Sequence, residues 1–104
     1  MKFKNKTFAE KVYEAASKIP RGKVATYTQI AKLIGNKDAY RAVGNALHKN
    51  PFAPRVPCHR VVDSEGNTAE NFGSGQDQQI LLLRFEGVDV INGKVNLKKF
   101  GWKI

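Results

Sequence analysis

A single cysteine, at position 58, stands in a chain of 104 residues, so no disulfide can form within the chain. One cysteine and two histidines are also too few for an ordinary structural zinc site, which takes four ligands. A chain of this length can bury one modest hydrophobic core and is too short for two independent ones. We therefore expect one domain over residues 1–104, held together by apolar packing and without a metal.

Cysteine usage and charge indicate the compartment and the partner. With no disulfide possible, a reducing, cytoplasmic setting is expected, and no apolar run is long enough to cross a bilayer. Residues 1–60 hold 13 Lys/Arg and 3 Asp/Glu, a net charge of +10, whereas residues 61–104 have a net charge of −1. This segregation favours a polyanion as the partner of the first half. The alternative is that the lysines only keep a small protein soluble.

Three helices are predicted in the basic half. The segments 7–10 (Thr-Phe-Ala-Glu) and 26–29 (Thr-Tyr-Thr-Gln) have the spacing of capping boxes, and apolar residues follow each at helical intervals. Pro20 should end the first helix. Asp38 is a good N-cap for the third helix, which we expect to run to about Lys49. A short helix, a tight turn and a further helix form the organisation of a helix-turn-helix.

Short strands are predicted in the second half. Residues 50–60 contain three prolines and predict an irregular loop, followed by a short strand at 61–63. A helix is expected over about 76–85, and a β-hairpin around the Asn92-Gly93 turn. The fold class is thus α+β and mainly helical: a small helix-turn-helix, winged-helix-like domain with short strands and a C-terminal hairpin. Near the C-terminus, Phe100 and Trp102 are expected to pack on the core or tail.

The segment 57–61 (Pro-Cys-His-Arg-Val) concentrates reactive groups. A free thiol beside a titratable imidazole and a permanent cation has the ingredients of an activated thiolate. The alternative is that Cys58 is a small buried apolar residue. Neighbours in an extended segment point to opposite sides, so contact between Cys58 and His59 would need a turn or a bridging water.

Several motifs occur together in one order: 19–24 (Ile-Pro-Arg-Gly-Lys-Val), 26–27, 39–44, 49–51, 57–61 and 82–87. Together they resemble the C-terminal, active-site domain of the O6-alkylguanine-DNA alkyltransferases, the methylated-DNA–protein-cysteine methyltransferases. The resemblance covers about residues 7–87. It implies DNA repair in which Cys58 attacks the alkyl carbon on O6 of guanine in duplex DNA, after base flipping, and irreversibly keeps the alkyl group. Such a single-turnover methyltransferase uses no cofactor.

The resemblance also implies roles for the residues around Cys58. His59 would act as the base, Glu86 would orient His59, and Asn50 would brace the loop. Tyr27 would lie at the lesion pocket and assist proton transfer to the guanine. Without the resemblance, Tyr27 could be a half-buried aromatic at a helix start, and Glu86 could merely cap the chain near Gly87.

A DNA-binding surface in the minor groove is implied as well. Arg41 matches the family's arginine finger, which fills the gap left by the flipped base; it could otherwise be an ordinary solvated cation. The remaining DNA contacts implied are the low-bulk helix residues Ala42 and Gly44, the pocket residue Leu47, and the phosphate contacts Lys49, Arg60 and the Lys-rich N-terminus.

The chain departs from the family pattern in three respects. Its Gly-rich loop is Phe72-Gly73-Ser74-Gly75 where the family typically has Tyr-Ser-Gly-Gly, which removes a phenol hydroxyl. We also expect no additional N-terminal domain, which alkyltransferases usually carry. The short length and the tail at 96–102 resemble alkyltransferase-like proteins, although those usually have tryptophan or another residue in place of Cys58.

Two functions therefore remain open on the sequence, both for an expected monomer. The first is the alkyltransferase. The second is a non-enzymatic lesion sensor that binds alkylguanine and recruits nucleotide-excision repair proteins. A generic helix-turn-helix regulator would leave the Pro-Cys-His-Arg segment unexplained, and cysteine hydrolases place Cys and His far apart in sequence.

Overall fold

Helices dominate the part of the chain that the computed structural model describes, residues 6–53, 55–69 and 75–103. The five helices in these ranges are α1 (Phe8–Ala16), α2 (Tyr27–Leu33), α3 (Tyr40–His48), α4 (Gln76–Phe85) and α5 (Leu97–Phe100). The strands are β1 (Ala25–Thr26), β2 (Val61–Val62), β3 (Val90–Ile91) and β4 (Lys94–Val95), and a 3₁₀ turn covers Cys58–Arg60. The predicted α+β class is confirmed. No helix of the described ranges combines the length and the apolar character that a membrane span requires.

Local capping determines where α1 and α2 begin. The Thr7 hydroxyl accepts a hydrogen bond from the Glu10 N–H at 3.2 Å, and the Glu10 carboxylate accepts one from the Thr7 N–H at 3.0 Å. Thr26 and Gln29 form the same reciprocal pair, at 3.1 and 2.9 Å. Both predicted capping boxes are confirmed, and each satisfies two N–H groups that a helix start otherwise leaves free.

The start of α3 differs from the prediction. Its N-cap is Ala39, which makes no side-chain hydrogen bond, so the expected Asp38 cap is wrong. The Ala39 N–H donates to the Asn36 carbonyl at 3.0 Å, and this turn shifts the first helical residue to Tyr40. Helices α2 and α3 pack on each other and on α1, in the arrangement of a helix-turn-helix.

A short parallel ladder divides the core into two parts. Ala25 pairs with Val61 and Thr26 with Val62. Because successive side chains of a strand point to opposite faces, Ala25 and Val61 join the core of α1, α2 and α3, whereas Val62 joins a second core under α4 and the hairpin. The ladder fixes the 3₁₀ turn just before β2 and brings Asp63 next to the start of α2.

The C-terminal hairpin braces the turn that follows β2. Asn92 and Gly93 have φ of 53° and 72°, as a type I′ turn requires. The Val95 N–H donates to the Gly66 carbonyl and the Thr68 N–H to the Gly93 carbonyl, both at 2.9 Å. Gly66 has φ +90°, and a Cβ there would lie 2.2 Å from the Val95 carbonyl oxygen, so this close approach requires glycine.

The chain end packs on the body of the protein as predicted. Phe100, the last residue of α5, is buried in the second core, and Trp102 is half-buried against the first. The Trp102 N–H donates to the Val24 carbonyl at 2.7 Å, which anchors the tail beside β1.

Candidate functional site

The 3₁₀ turn presents Cys58 at a partly exposed position on a braced loop. The Cys58 N–H donates to the Val56 carbonyl at 2.8 Å, and Cys58 packs at the edge of the first core. The Asn50 side chain donates to the same carbonyl at 2.8 Å and accepts from the Phe52 N–H at 2.8 Å. Asn50 therefore ties both ends of the proline-rich loop together. The family resemblance implied a bracing role for this residue.

The turn directs His59 inward, where it meets Glu86 at the end of α4. His59 is 3% exposed, and its Nε2 lies 3.1 Å from Glu86 Oε1. The approach is not aligned as a hydrogen bond, and Nε2 has no hydrogen-bond partner among the described residues, so the contact is electrostatic. Catalytic hydrogen bonds in an unliganded site are commonly long or misaligned and tighten when substrate binds.

Burial lowers the pKa of His59, and the Glu86 carboxylate only partly opposes this by favouring the charged form. The imidazole is therefore neutral at neutral pH and able to accept a proton. A neutral ring whose Nε2–H faces Glu86 has Nδ1 free to act as the acceptor.

Arg60 turns inward as well, which corrects the expectation that it contacts DNA phosphate. Its Nε and Nη2 donate to the two Glu86 carboxylate oxygens at 2.9 and 2.6 Å, and its Nη1 donates to the Ile19 carbonyl at 2.8 Å. Such a bidentate pair is geometrically specific. Burial raises the pKa of Glu86, but the Arg60 hydrogen bonds and His59 outweigh it, so the net shift is downward and Glu86 stays ionised.

Gln79 is a buried link that the sequence did not predict. It is fully buried on α4 and donates to the His59 carbonyl at 3.2 Å and the Val61 carbonyl at 3.1 Å, while accepting from the Ala69 N–H at 2.8 Å. It therefore joins the turn that carries Cys58 to the chain at Ala69. The available signal was helical spacing: Gln79 lies four residues before the buried Leu83 and shares its face.

A cavity of about 470 Å³ lies between the start of α2 and the turn that follows β2. Its lining residues in the described ranges are Tyr27, Asp63, Asn67, Thr68, Ala69, Gln76, Asn92 and Gly93. Burial raises the pKa of Tyr27, and the nearby Asp63 charge raises it further. The phenol therefore stays protonated and lies close to the thiol. A larger cavity of about 720 Å³, under the hairpin and α5, includes none of the predicted site residues.

Within residues 6–53, 55–69 and 75–103, no three His, Cys, Asp or Glu side chains lie together as a metal-binding group. The Gly-rich segment Asn71–Ser74 and the lysines before residue 6 lie outside the described residues.

The family model described as 6-O-methylguanine DNA methyltransferase, DNA binding domain, matches residues 7–88. The chain belongs to this family. The methylated-DNA–protein-cysteine methyltransferase of Methanosarcina acetivorans is 46% identical over 80 residues, which are 77% of this chain and 51% of that protein. The chain thus spans about half the length of the methyltransferase that it matches.

A second kind of relative matches along nearly its whole length. Alkyltransferase-like protein 1 of Schizosaccharomyces pombe is 38% identical over 103 residues, which are 92% of this chain and 94% of that protein. The crystal structure of S. pombe Atl1 in complex with damaged DNA containing O6-carboxymethylguanine covers 100% of both chains, with a TM-score of 0.85 and 34% identity. The alkyltransferase family therefore contains relatives about twice as long as the matched region and relatives of about the same length as this chain.

Helix α3 carries most of the residues that the family resemblance assigns to DNA. Arg41 and Ala42 are exposed in its first turn, whereas Leu47 is buried in the first core. A Cβ at Gly44 would lie 3.8 Å from the Tyr27 ring, so α3 crosses the tyrosine there. Arg41 lies three residues before Gly44 on the same helix face, which directs it toward the Tyr27 side of the molecule. Lys49 is exposed beyond the end of α3.

Stability should decrease as the pH falls, because His59 is buried in its neutral form. Its pKa is lowered in the folded protein, so the unfolded chain takes up the proton first and unfolding becomes favoured below about pH 6.5. Glu86 adds a further loss at lower pH, since its pKa is also lowered. Urea unfolding across pH 8 to 5 measures the effect. We expect His59→Gln to flatten the decline of the free energy of unfolding in the upper part of this pH range. His48→Gln is the matched control; an equal flattening there would contradict the assignment to His59.

Proposed function

We propose that this protein repairs O6-alkylguanine in duplex DNA by transferring the alkyl group to its own Cys58. The observation that carries this proposal is the contact of buried, neutral His59 with an ionised Glu86, one residue from a partly exposed thiol. The arrangement is the nucleophile, base and orienting group of thiol catalysis.

The transfer balances as follows. His59 takes the proton of Cys58, and the imidazolium that forms is stabilised by Glu86. The thiolate attacks the alkyl carbon, a sulfur–carbon bond forms, and the bond between that carbon and guanine O6 breaks. Tyr27 stays protonated, so it can give a proton to the departing guanine, and the proton held by His59 replaces it. The products are an S-alkyl cysteine and unmodified guanine.

Mass spectrometry tests this proposal directly. The protein is incubated with duplex containing O6-methylguanine and digested with trypsin. The mass of the peptide spanning residues 56–60 is then measured. We expect that peptide to gain the mass of one methylene, with an undamaged duplex of the same sequence as control. Tight binding of the damaged duplex with an unchanged peptide would refute transfer.

The second candidate function is a lesion sensor, and the length of the match to alkyltransferase-like protein 1 favours it. A sensor would use the same DNA-facing surface and would pass the lesion to nucleotide-excision repair proteins. Under this function the peptide spanning residues 56–60 stays unmodified while the protein remains bound to alkylated duplex.

Arg41→Ala should weaken binding to the damaged duplex under either function. One lost stacking or charge-assisted contact is worth about 1–3 kcal/mol, so we expect affinity to fall by about 5- to 150-fold. Binding of the free alkylated base should change little, because it needs no flipping. Lys98→Ala removes the same charge from α5 and serves as control. Equal losses for duplex and free base would argue against a flipping role for Arg41.

A further inference from the structure

The described lining of the cavity beside Tyr27 includes one carboxylate, that of Asp63, which the proposed alkyl transfer does not use. We propose that Asp63 makes this cavity select O6-alkyl groups by charge, accepting neutral or cationic groups and rejecting anionic ones. This inference rests on the proposed function, places the alkylated base in the cavity that Tyr27 lines, and assigns Asp63 as a specificity-determining residue.

The β1–β2 ladder fixes the position of Asp63. Thr26 pairs with Val62 in parallel register, so the next residue on each side, Tyr27 and Asp63, leaves the ladder at the same end. Both residues line the cavity of about 470 Å³. Asp63 and Tyr27 therefore line one cavity from the same end of the ladder.

The carboxylate is held in its ionised form by its own turn. Its Oδ1 accepts from the Glu65 N–H at 2.9 Å and the Asn67 N–H at 2.8 Å, and its Oδ2 accepts from the Asn67 side chain at 3.0 Å. These hydrogen bonds outweigh burial, which alone would raise the pKa of Asp63, and the net shift is downward. A turn-capping role alone would not require the residue to line the cavity.

The rest of the described lining offers no compensating charge. Apart from Asp63 and Tyr27, it consists of amide, hydroxyl, glycine and alanine residues. A cavity of that volume is roughly 10 Å across, so a charged group anywhere inside lies within about one Debye length of Asp63. Like charges at such a distance in a partly buried site repel, whereas an ammonium group would be attracted.

Matched lesions test the proposal. Duplexes carry O6-carboxymethylguanine, which is anionic, or its neutral isostere O6-carbamoylmethylguanine, and affinity and single-turnover transfer are measured for each. We expect wild-type protein to prefer the neutral lesion by at least about tenfold, the size expected for like charges in one small cavity. Asp63→Asn should remove the preference, and Asp89→Asn, which deletes an exposed charge near Lys99, should retain it.

The outcomes separate this inference from the proposed function. Charge preference in binding, with no alkyl group on Cys58, would support Asp63 and refute transfer. Transfer of methyl without charge preference, or an unchanged preference in Asp63→Asn, would overturn the role of Asp63. Because the substitution could loosen the turn, Asp63→Ser, which keeps a turn-capping acceptor, provides a second variant. Circular dichroism and urea unfolding verify that the fold of each variant is intact.

Discussion

Cys58→Ser is expected to abolish alkyl transfer completely while leaving lesion binding nearly unchanged. The reaction needs a thiolate, and a serine hydroxyl is neither ionised near neutral pH nor comparably nucleophilic. Serine and cysteine have similar size, and Cys58 packs only at the edge of the first core, so the fold should tolerate the exchange. Affinity for O6-methylguanine duplex should change by no more than about 0.5 kcal/mol.

The measurement combines mass spectrometry of residues 56–60 with an affinity titration on damaged and undamaged duplex. The undamaged duplex controls for general attraction to DNA by the basic first half of the chain. A Cys58→Ser protein that still acquired a methyl group would remove Cys58 from the mechanism. A variant that lost lesion binding altogether would mean that the sulfur is part of the binding surface.

Local signals in the sequence predict most of the helices and the hairpin. The two capping boxes and the Asn92-Gly93 turn each depend on residues within four positions of one another, and all three form as predicted. Family resemblance also identified His59 and Glu86, which the fold brings into contact.

Contacts between distant segments could not be predicted in the same way. Strand β1 consists of only two residues and exists because it pairs with β2, which lies 36 positions further along the chain. Arg60 is a cation beside a basic segment, which favoured an outward, DNA-facing side chain. Only the 3₁₀ turn reveals that it points to Glu86 instead. The burial of Gln79 could not be predicted for a related reason, because a buried amide is tolerated only where distant partners form hydrogen bonds with it.

Because Arg60 points inward, it belongs to the group of residues around Glu86. Glu86 holds two partners at once, the neutral His59 ring through Oε1 and the cationic Arg60 guanidinium through both oxygens. Arg60 also reaches the Ile19 carbonyl, so the end of α4 is fastened to the segment after α1. Under the proposed function, one carboxylate thus serves both the fold and the base, and a single substitution cannot separate the two roles.

Glu86→Ala should therefore lower both stability and transfer. Removing one partner of a buried pair leaves an uncompensated charge on Arg60, with a cost of about 3–5 kcal/mol in the free energy of unfolding. Transfer should slow by at least about 100-fold, because His59 loses its orienting group. Urea unfolding and single-turnover kinetics, run at a temperature where the variant is folded, measure the two effects.

The double variant Arg60→Met with Glu86→Leu separates the fold from the chemistry. Replacing both partners of a buried ion pair by apolar residues of similar size is often neutral or stabilising, so most of the lost stability should return. Transfer should remain slow, since His59 still lacks a carboxylate to stabilise its protonated form. If the double variant transferred methyl at the wild-type rate, Glu86 would act only through folding, and His59 would not need it as an orienting group.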